Sequence, residues 1–315
     1  MVRFALRRLV VLLITLLAAS AATFAIPYAG DGDPARTILR SRVSDQAVDP
    51  ASIAALRSDL GLDRPIIMQY LSWLGRAVRG DFGLSFTSRT PVDQLLGGAL
   101  GVSATLAVLA IGLAFVAALP LGALAATRPG KRLDNGVTLV TQSFVAIPEY
   151  WLAPVLVLVF SRYLGWLPSA GWRDPASLVL PVLTLALRPM AYFTQVTRAA
   201  MTDVLAAPYI TAARSRGLSQ SQTLLRHGLR NALLPVMTLF SLWFAGLLGG
   251  SVIVEVIFAI PGMGRLIYGA VVNHDVPLIQ GGILSIVALA VVITTATDFL
   301  YAVINPAVRV RDGSV

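Results

Sequence analysis

The chain has 315 residues, of which 56% are hydrophobic and only 13% charged, and its mean hydropathy is +0.76. This composition excludes an ordinary soluble domain and indicates a polytopic membrane protein. Cysteine is absent, which excludes disulfides and thiolate metal sites. The formal net charge of +9 is the excess expected of basic cytosolic loops, so no nucleic-acid partner is predicted.

Six segments are apolar and long enough to span a bilayer, which predicts an all-α fold. They cover approximately residues 9–28, 102–126, 137–163, 178–201, 232–257 and 279–304. An even number of spans puts both termini on one side of the membrane. That side carries 13 Arg and Lys against three Asp, whereas the other carries 11 basic and 10 acidic residues. The positive-inside rule therefore places both termini in the cytosol.

Residues 1–28 are predicted to form a short cytosolic N-terminus and the first transmembrane helix. Arg3, Arg7 and Arg8 followed by an apolar run are also typical of a cleaved signal peptide. Because the apolar run continues through Phe24 and Ile26, we favour a retained spanning helix.

Residues 29–98 form a polar connection on the outer side that is too long for a simple loop, which points to a functional role. A lid over the outer ends of the helices is the structural alternative. The connection contains AGDGDPAR at 29–36, LGLDRP at 60–65, QYLSWLGRAVRGDFGLSF at 69–86 and TPVDQLL at 90–96. The remaining segments are a five-helix membrane core at 99–304, which includes a cytosolic loop at 202–232, and a cytosolic tail at 305–315.

Gly130-Lys131 is not a phosphate-binding loop, because no glycine stands five residues before Gly130 and Arg132 occupies the Ser or Thr position. No nucleotide site is therefore predicted in this chain.

Charged residues within the predicted spans include Glu149, Arg188, Glu255 and Asp298. Ionisable groups at membrane depth usually face the bundle interior or a water-filled path. We expect Glu149 and Arg188, near the middle of the third and fourth spans, to line a path and to accommodate charged groups. A structural ion pair, or snorkelling of Arg188 to the interface, is the alternative.

The stretch from Tyr209 to Pro235 is basic and lies between two apolar segments, so it is predicted to be cytosolic. Gly217 is placed to end one short helix, and Ser219 with Gln222 has the spacing of a capping box that opens the next. On that second helix Leu225, Leu229 and Leu233 form an apolar row beside Arg226 and Arg230, which suits an apolar groove. A membrane-surface helix without a partner is the alternative.

The region from Gly249 to Gly281 follows the fifth span. A short helix is predicted after Pro261, containing Leu266, Ile267 and Ala270.

Ala212, Ala213 and Gly217, with Leu234-Pro235 closing the loop, resemble the EAA loop of bacterial ABC-transporter permeases. Thr211 stands where the general motif has Glu, and this departure is similar to the dipeptide, oligopeptide and nickel branch. The outer connection, the 249–281 region and TDFLYAVINPAVRV at 297–310 resemble the same branch, so the resemblance covers nearly the whole chain.

The resemblance implies a type I importer permease in a bacterial inner membrane, without catalytic residues, bound metal or cofactor. It implies as partners a second homologous permease, two ATPase domains or subunits that bind ATP and Mg, and a substrate-binding protein facing residues 29–98. Contact with the ATPase would be made by Ala212, Ala213, Arg214, Gly217, Leu218, Leu225, Arg226 and His227. Peptides are the favoured substrate, with nickel chelates, haem and glutathione left open.

Two other classes fit the sequence less well. An intramembrane hydrolase lacks a GxSxG or HExxH motif, and the only histidines, His227 and His274, lie in predicted loops. An ion-coupled transporter could use Glu149, Glu255 or Asp298, but the internal repeat usual in such folds is not evident.

Overall fold

The computed structural model describes residues 2–28, 57, 63–217, 219, 222 and 229–304. Within these ranges the regular structure is helical, apart from an isolated antiparallel bridge between Leu84 and Pro91. The predicted all-α fold class is confirmed.

The α-helices are named here in chain order. They are α1 (Val2–Ala25), α2 (Ile66–Ala77), α3 (Val92–Ala126), α4 (Arg132–Ala146), α5 (Glu149–Leu156), α6 (Ala176–Ala206), α7 (Pro208–Ser215), α8 (Leu229–Gly250), α9 (Val252–Ile257), α10 (Met263–Val272) and α11 (Val276–Ile304). A 3-10 turn at Ile26–Tyr28 follows α1, and a π-helical segment at Val157–Tyr163 continues α5. The helix predicted after Pro261 is confirmed as α10.

Four helices in the described part of the chain are long and apolar enough to cross a membrane: α1, α3, α6 and α11. The bent pair formed by α4 and the segment 149–163 adds a fifth crossing if it counts as one span. The apolar part of α8, Pro235–Gly250, is shorter. A multi-spanning protein is therefore confirmed, and the count of six spans stays a prediction.

Residues 137–163 do not form the one continuous helix that the sequence predicts. The chain bends by 100° between α4 and the segment that begins at Glu149. Ile147 is extended, with φ −84° and ψ 119°, because the ring of a following proline disfavours helical backbone in the residue before it. Pro148 then serves as the N-cap of α5.

Hydropathy also placed the start of α3 too late. The helix begins at Val92, whereas the apolar stretch begins near residue 102. Asp93 lies in the first turn of α3, where a carboxylate interacts favourably with the helix dipole. The first turns are therefore helical although Asp93 and Gln94 interrupt their apolar residues.

The chain divides into two compact units, each described separately here. Residues 1–103 and 261–292 form the first unit. Its buried core contains Val92, Leu96, Met263 and Leu278. The backbone N–H of Met263, at the start of α10, donates to the buried Ser103 hydroxyl at 2.8 Å.

A buried carboxylate in the first unit fixes the loop before α3 to the start of α11. Asp275 is fully buried; its Oδ2 accepts from the Ser85 hydroxyl at 2.5 Å and from the Thr87 backbone N–H at 3.1 Å. Its Oδ1 accepts from the Leu278 N–H at 3.4 Å, within the first turn of α11. One side chain thus satisfies donors from two distant segments.

We expect Asp275→Ala to loosen the loop at residues 84–91. The substitution leaves the Ser85 hydroxyl and the Thr87 N–H without their acceptor, which costs about 1–3 kcal/mol for such buried groups. Hydrogen exchange at 84–91 should accelerate several-fold, whereas the exposed Asp63→Ala should leave it unchanged. Equal protection in the two variants would contradict an anchoring role for Asp275.

Residues 104–260 and 293–315 form the second unit, in which α6 packs against α4, α5, α8 and α9. Phe193 of α6 is fully buried, and its ring meets that of Phe115 edge to face at 6.5 Å. Phe115 makes a second such contact with Phe240 of α8 at 5.9 Å. Helix α6 is therefore the central element of this unit.

Helices α3 and α6 come into direct backbone contact at Gly122. A Cβ atom added there would lie 2.6 Å from the Thr194 carbonyl oxygen and 2.6 Å from the Thr197 Cβ. A residue without a side chain is required for so close an approach, as is common between membrane helices.

Candidate functional site

The predicted coupling element begins with α7, which packs on the end of α6 through one face. Ile210 and Ala213 are both buried, while Tyr209 and Ala212 are exposed on the other side. A spacing of three residues puts Ile210 and Ala213 on the same face of a helix. The element is thus fixed to the second unit by one face, and the described residues leave its other face uncovered.

The turn after α7 has the geometry predicted from the sequence. Gly217 has φ +91°, in the left-handed region that favours glycine after a helix end. The Ser219 backbone N–H donates to Gln222 Oε1 at 3.0 Å, and the Gln222 N–H donates to Ser219 Oγ at 3.3 Å. The left-handed Gly217 and the reciprocal capping box are both confirmed.

The remaining coupling residues are less fully described. Arg214 belongs to α7, and Arg216, just beyond it, donates from Nε to the Ala212 carbonyl at 3.3 Å. The predicted contact residues Leu218, Leu225, Arg226 and His227 lie outside the described residues.

Gly217→Val should reduce the transport that the resemblance implies. A β-branched residue in left-handed backbone costs roughly 1–2 kcal/mol and favours another turn, which would redirect the chain entering the capping box. We expect Gly217→Asn, a residue that tolerates this conformation, to transport nearly normally. Uptake rates of the two variants at equal membrane content provide the measurement, and equal rates would show that the left-handed turn is not needed.

Glu149 and Arg188, which are expected to line a path, lie within electrostatic range of each other. Arg188 is the charged group that acts electrostatically on Glu149, yet no ion pair joins the two in the described structure. Glu149 is half-buried at the start of α5, and Arg188 is exposed on α6. The exposed Arg188 guanidinium therefore forms no ion pair within the described part of the chain.

The other two residues predicted to line the path, Glu255 and Asp298, lie on other helices. Glu255 of α9 is fully buried, and its Oε1 accepts from the Ser251 hydroxyl at 2.8 Å. Asp298 lies on α11. Their place along a path stays a prediction.

Sequence reasoning missed an ion pair between the first turn of α4 and α6, the helix that precedes the coupling element. Asp134 is 1% exposed and receives two hydrogen bonds from Arg198, one from Nε to Oδ1 and one from Nη2 to Oδ2 at 2.7 Å. The Gly130 backbone N–H donates to the same Oδ2 at 2.7 Å. The available signal was that Asp134 is the single carboxylate in the basic segment 127–136.

A cavity of about 800 Å³ lies within the first unit, beside the Asp275 anchor. Its wall is formed by α3, α10 and the loop at 85–88, and Gln94, Arg265 and Asn273 contribute polar groups. In the described part of the chain, no cluster of three His, Asp or Glu side chains is arranged to hold a metal ion.

Two family models match the sequence and together account for most of it. Residues 118–310 match the binding-protein-dependent transport system inner membrane component, and residues 1–107 match the N-terminal component of the same systems. The chain belongs to this family of ABC importer permeases. The permease thus matches both the N-terminal and the main model of the family, and the resemblance inferred from its motifs is confirmed.

Two curated relatives match over nearly their whole length. The permease is 35% identical to the oligopeptide transport system permease protein AppB of Bacillus subtilis (strain 168), over 98% of this chain and 100% of the relative. It is 36% identical to the glutathione transport system permease protein GsiC of Escherichia coli (strain K12), over 99% and 100%. The similarity is therefore not limited to one motif.

Among solved structures, an inward-facing form of the MetNI methionine ABC transporter has the same fold. The TM-score is 0.55 at 20% identity, over 67% of the permease and 97% of that chain. This likeness supports the ABC permease fold class and carries no information on substrate. The chain is a multi-pass membrane permease subunit.

Proposed function

We propose that the permease forms, together with a second homologous permease subunit, the translocation path of an ATP-driven peptide importer. The observation that carries this proposal is the ordered coupling element, in which Gly217 and the Ser219–Gln222 capping box follow a helix fixed on α6. Full-length similarity to permeases named for oligopeptides and glutathione supports the substrate class. Glutathione is itself a tripeptide, so both relatives point to short peptides.

The coupling loop at 202–232 docks onto a partner ATPase on the cytosolic side, and both termini lie in the cytosol of a bacterial cell. The exposed side of α7, including Tyr209 and Ala212, suits such a contact because Ile210 and Ala213 hold its other side against the unit. A rigid element transmits movement where a flexible one would absorb it. ATP and Mg are bound by two partner ATPase domains or subunits, and this chain binds no cofactor.

A substrate-binding protein delivers the peptide on the opposite side, where residues 29–98 are located. The Asp275 anchor supports this docking role because it holds residues 85–87 in place. The neighbouring cavity offers Gln94, Arg265 and Asn273 for polar contacts. Nickel chelates and haem are the alternative cargoes of the same architecture.

The importer proposal is tested by reconstitution in liposomes with the subunits that copurify with the tagged permease. We expect a second permease and ATPase subunits in stoichiometric amount, and uptake of a labelled tripeptide that requires ATP and the binding protein. Uptake that persists without ATP but stops with proton and sodium ionophores would instead indicate an ion-coupled transporter.

Glu149, Arg188, Glu255 and Asp298 line the path in this proposal, and the first two act on the charged ends of a peptide. The partial burial of Glu149 and the free side of Arg188 support that role. Glu149→Gln and Arg188→Gln should each slow uptake of a free peptide more than uptake of the same peptide with an acetylated N-terminus and an amidated C-terminus. Identical kinetics for the two peptides in both variants would exclude the role.

A further inference from the structure

Helix α2 is held against the C-terminal end of the first span by an aromatic cluster. The Phe24 ring lies 5.4 Å from that of Tyr70 and 5.7 Å from that of Trp73. The Ser20 and Tyr70 hydroxyls are hydrogen-bonded at 2.7 Å, and the Tyr28 hydroxyl donates to Gln69 Oε1. These contacts fix α2 at the level of residues 20–28, where the apolar span of α1 ends.

The packed face of α2 does not contain all of its apolar residues. Ile67, Leu71 and Val78 are 69%, 58% and 79% exposed. At 100° per residue they fall within an arc of about 40°, and the half-buried Leu74 lies about 20° beyond it. They therefore form one apolar flank that the described chain leaves uncovered.

The opposite flank of α2 is polar. Ser72 and Arg76 are exposed and lie roughly 140° around the helix axis from the apolar flank. A short helix with one bare apolar flank and one polar, basic flank is the pattern of a helix lying in a membrane interface.

We propose that α2 lies in the lipid interface at the C-terminal end of α1, with Ile67, Leu71 and Val78 inserted among the lipid chains. Two observations favour lipid over a protein as the occupant. Helix α1 is itself a candidate span whose apolar side chains are largely left uncovered by the described residues, so the flank of α2 adjoins a surface that faces lipid. The half-buried Tyr70 is an aromatic residue of the kind enriched at the interface, and the exposed Arg76 suits the phosphates of anionic headgroups.

The consequence is a second membrane attachment for the long connection at 29–98. Its part beyond Pro65 is held on the bilayer by α2 and on the first unit by Asp275.

The chain has no cysteine, so single-cysteine variants can be made in the otherwise native permease. The full chain, carrying Ile67→Cys or Leu71→Cys on the apolar flank, or the matched Ser72→Cys or Arg76→Cys on the polar flank, is labelled with a nitroxide. It is then reconstituted in vesicles of phosphatidylethanolamine and phosphatidylglycerol. Collision of each label with oxygen, which concentrates in the acyl chains, and with a water-soluble nickel chelate is measured by power saturation.

We expect labels at 67 and 71 to favour oxygen several-fold over the nickel chelate, and labels at 72 and 76 to show the reverse preference. Equal access of the nickel chelate on both flanks would overturn the proposal and place α2 in water. Exclusion of both reagents at 67 and 71 would also overturn it, because the flank would then be covered by protein. All four positions are exposed, so the substitutions remove no packed side chain. A fluorophore attached at position 71 provides an independent measurement: a nitroxide carried on the lipid should quench it, whereas iodide in the water should not.

Discussion

Gly122→Ala should destabilise the permease although alanine is the better helix former. The added Cβ would lie 2.6 Å from the Thr194 carbonyl oxygen, closer than two such atoms can approach, so α3 and α6 must separate by roughly 1 Å. Overpacking of this kind costs about 1–3 kcal/mol, more than the ~1 kcal/mol that alanine gains in helix propensity. We therefore expect a lower midpoint of thermal unfolding in detergent and a lower yield of assembled transporter.

Gly112→Ala is the matched control on the same helix. An added Cβ at Gly112 meets no atom within 4 Å, so that variant gains helix propensity without a clash and should be at least as stable as the parent. Truncating Thr197 should not rescue Gly122→Ala, because the backbone oxygen of Thr194 remains in place. If both glycine variants unfold at the parent temperature, the close approach of α3 to α6 is wrong.

Local signals in the sequence were sufficient for the turn of the coupling element. Gly217, Ser219 and Gln222 specify a left-handed turn and a capping box through groups at most a few residues apart, and both features are present. The break at Ile147 was also encoded, since proline restricts the residue before it, but an apolar run across Pro148 favoured a continuous span. Hydropathy indicates which part of a helix lies in lipid but not where the helix begins. Helix α3 begins at Val92, about ten residues before the predicted span.

Long-range pairs are the features that the sequence could not specify. Asp275 and Ser85 are 190 residues apart, and Asp134 and Arg198 are 64 apart. Each segment contains several charged or polar groups, and nothing local distinguishes the one that is buried from those that face water. Burial follows from helix packing, so these partners become visible only when the tertiary arrangement is known.

Asp134→Asn should give the second large effect, through the pair that joins the 130–134 turn to α6. The neutral amide keeps the shape of the carboxylate but loses its charge, and its NH₂ group meets N–H donors from Arg198 or Gly130. Arg198 is 35% exposed, so solvent screens part of the charge interaction, and we expect a loss of about 1–2 kcal/mol. The measurement is thermal unfolding of the purified permease. As a control, Asp203→Asn, at an exposed position on α6 near Arg198, should leave the unfolding temperature unchanged.

A charge-exchange double variant distinguishes the contribution of the ion pair from that of the Gly130 N–H hydrogen bond to Asp134. Asp134→Arg combined with Arg198→Asp restores opposite charges but leaves the Gly130 N–H without an acceptor, so the double variant should recover only part of the stability that Asp134→Arg alone loses. Arg198 stands eight residues, or about 12 Å, before the end of α6, where the coupling element begins. If the pair also transmits movement from α7 to α4, the double variant should transport more peptide per ATP than either single variant. Strictly additive losses in both readouts would contradict a coupled pair.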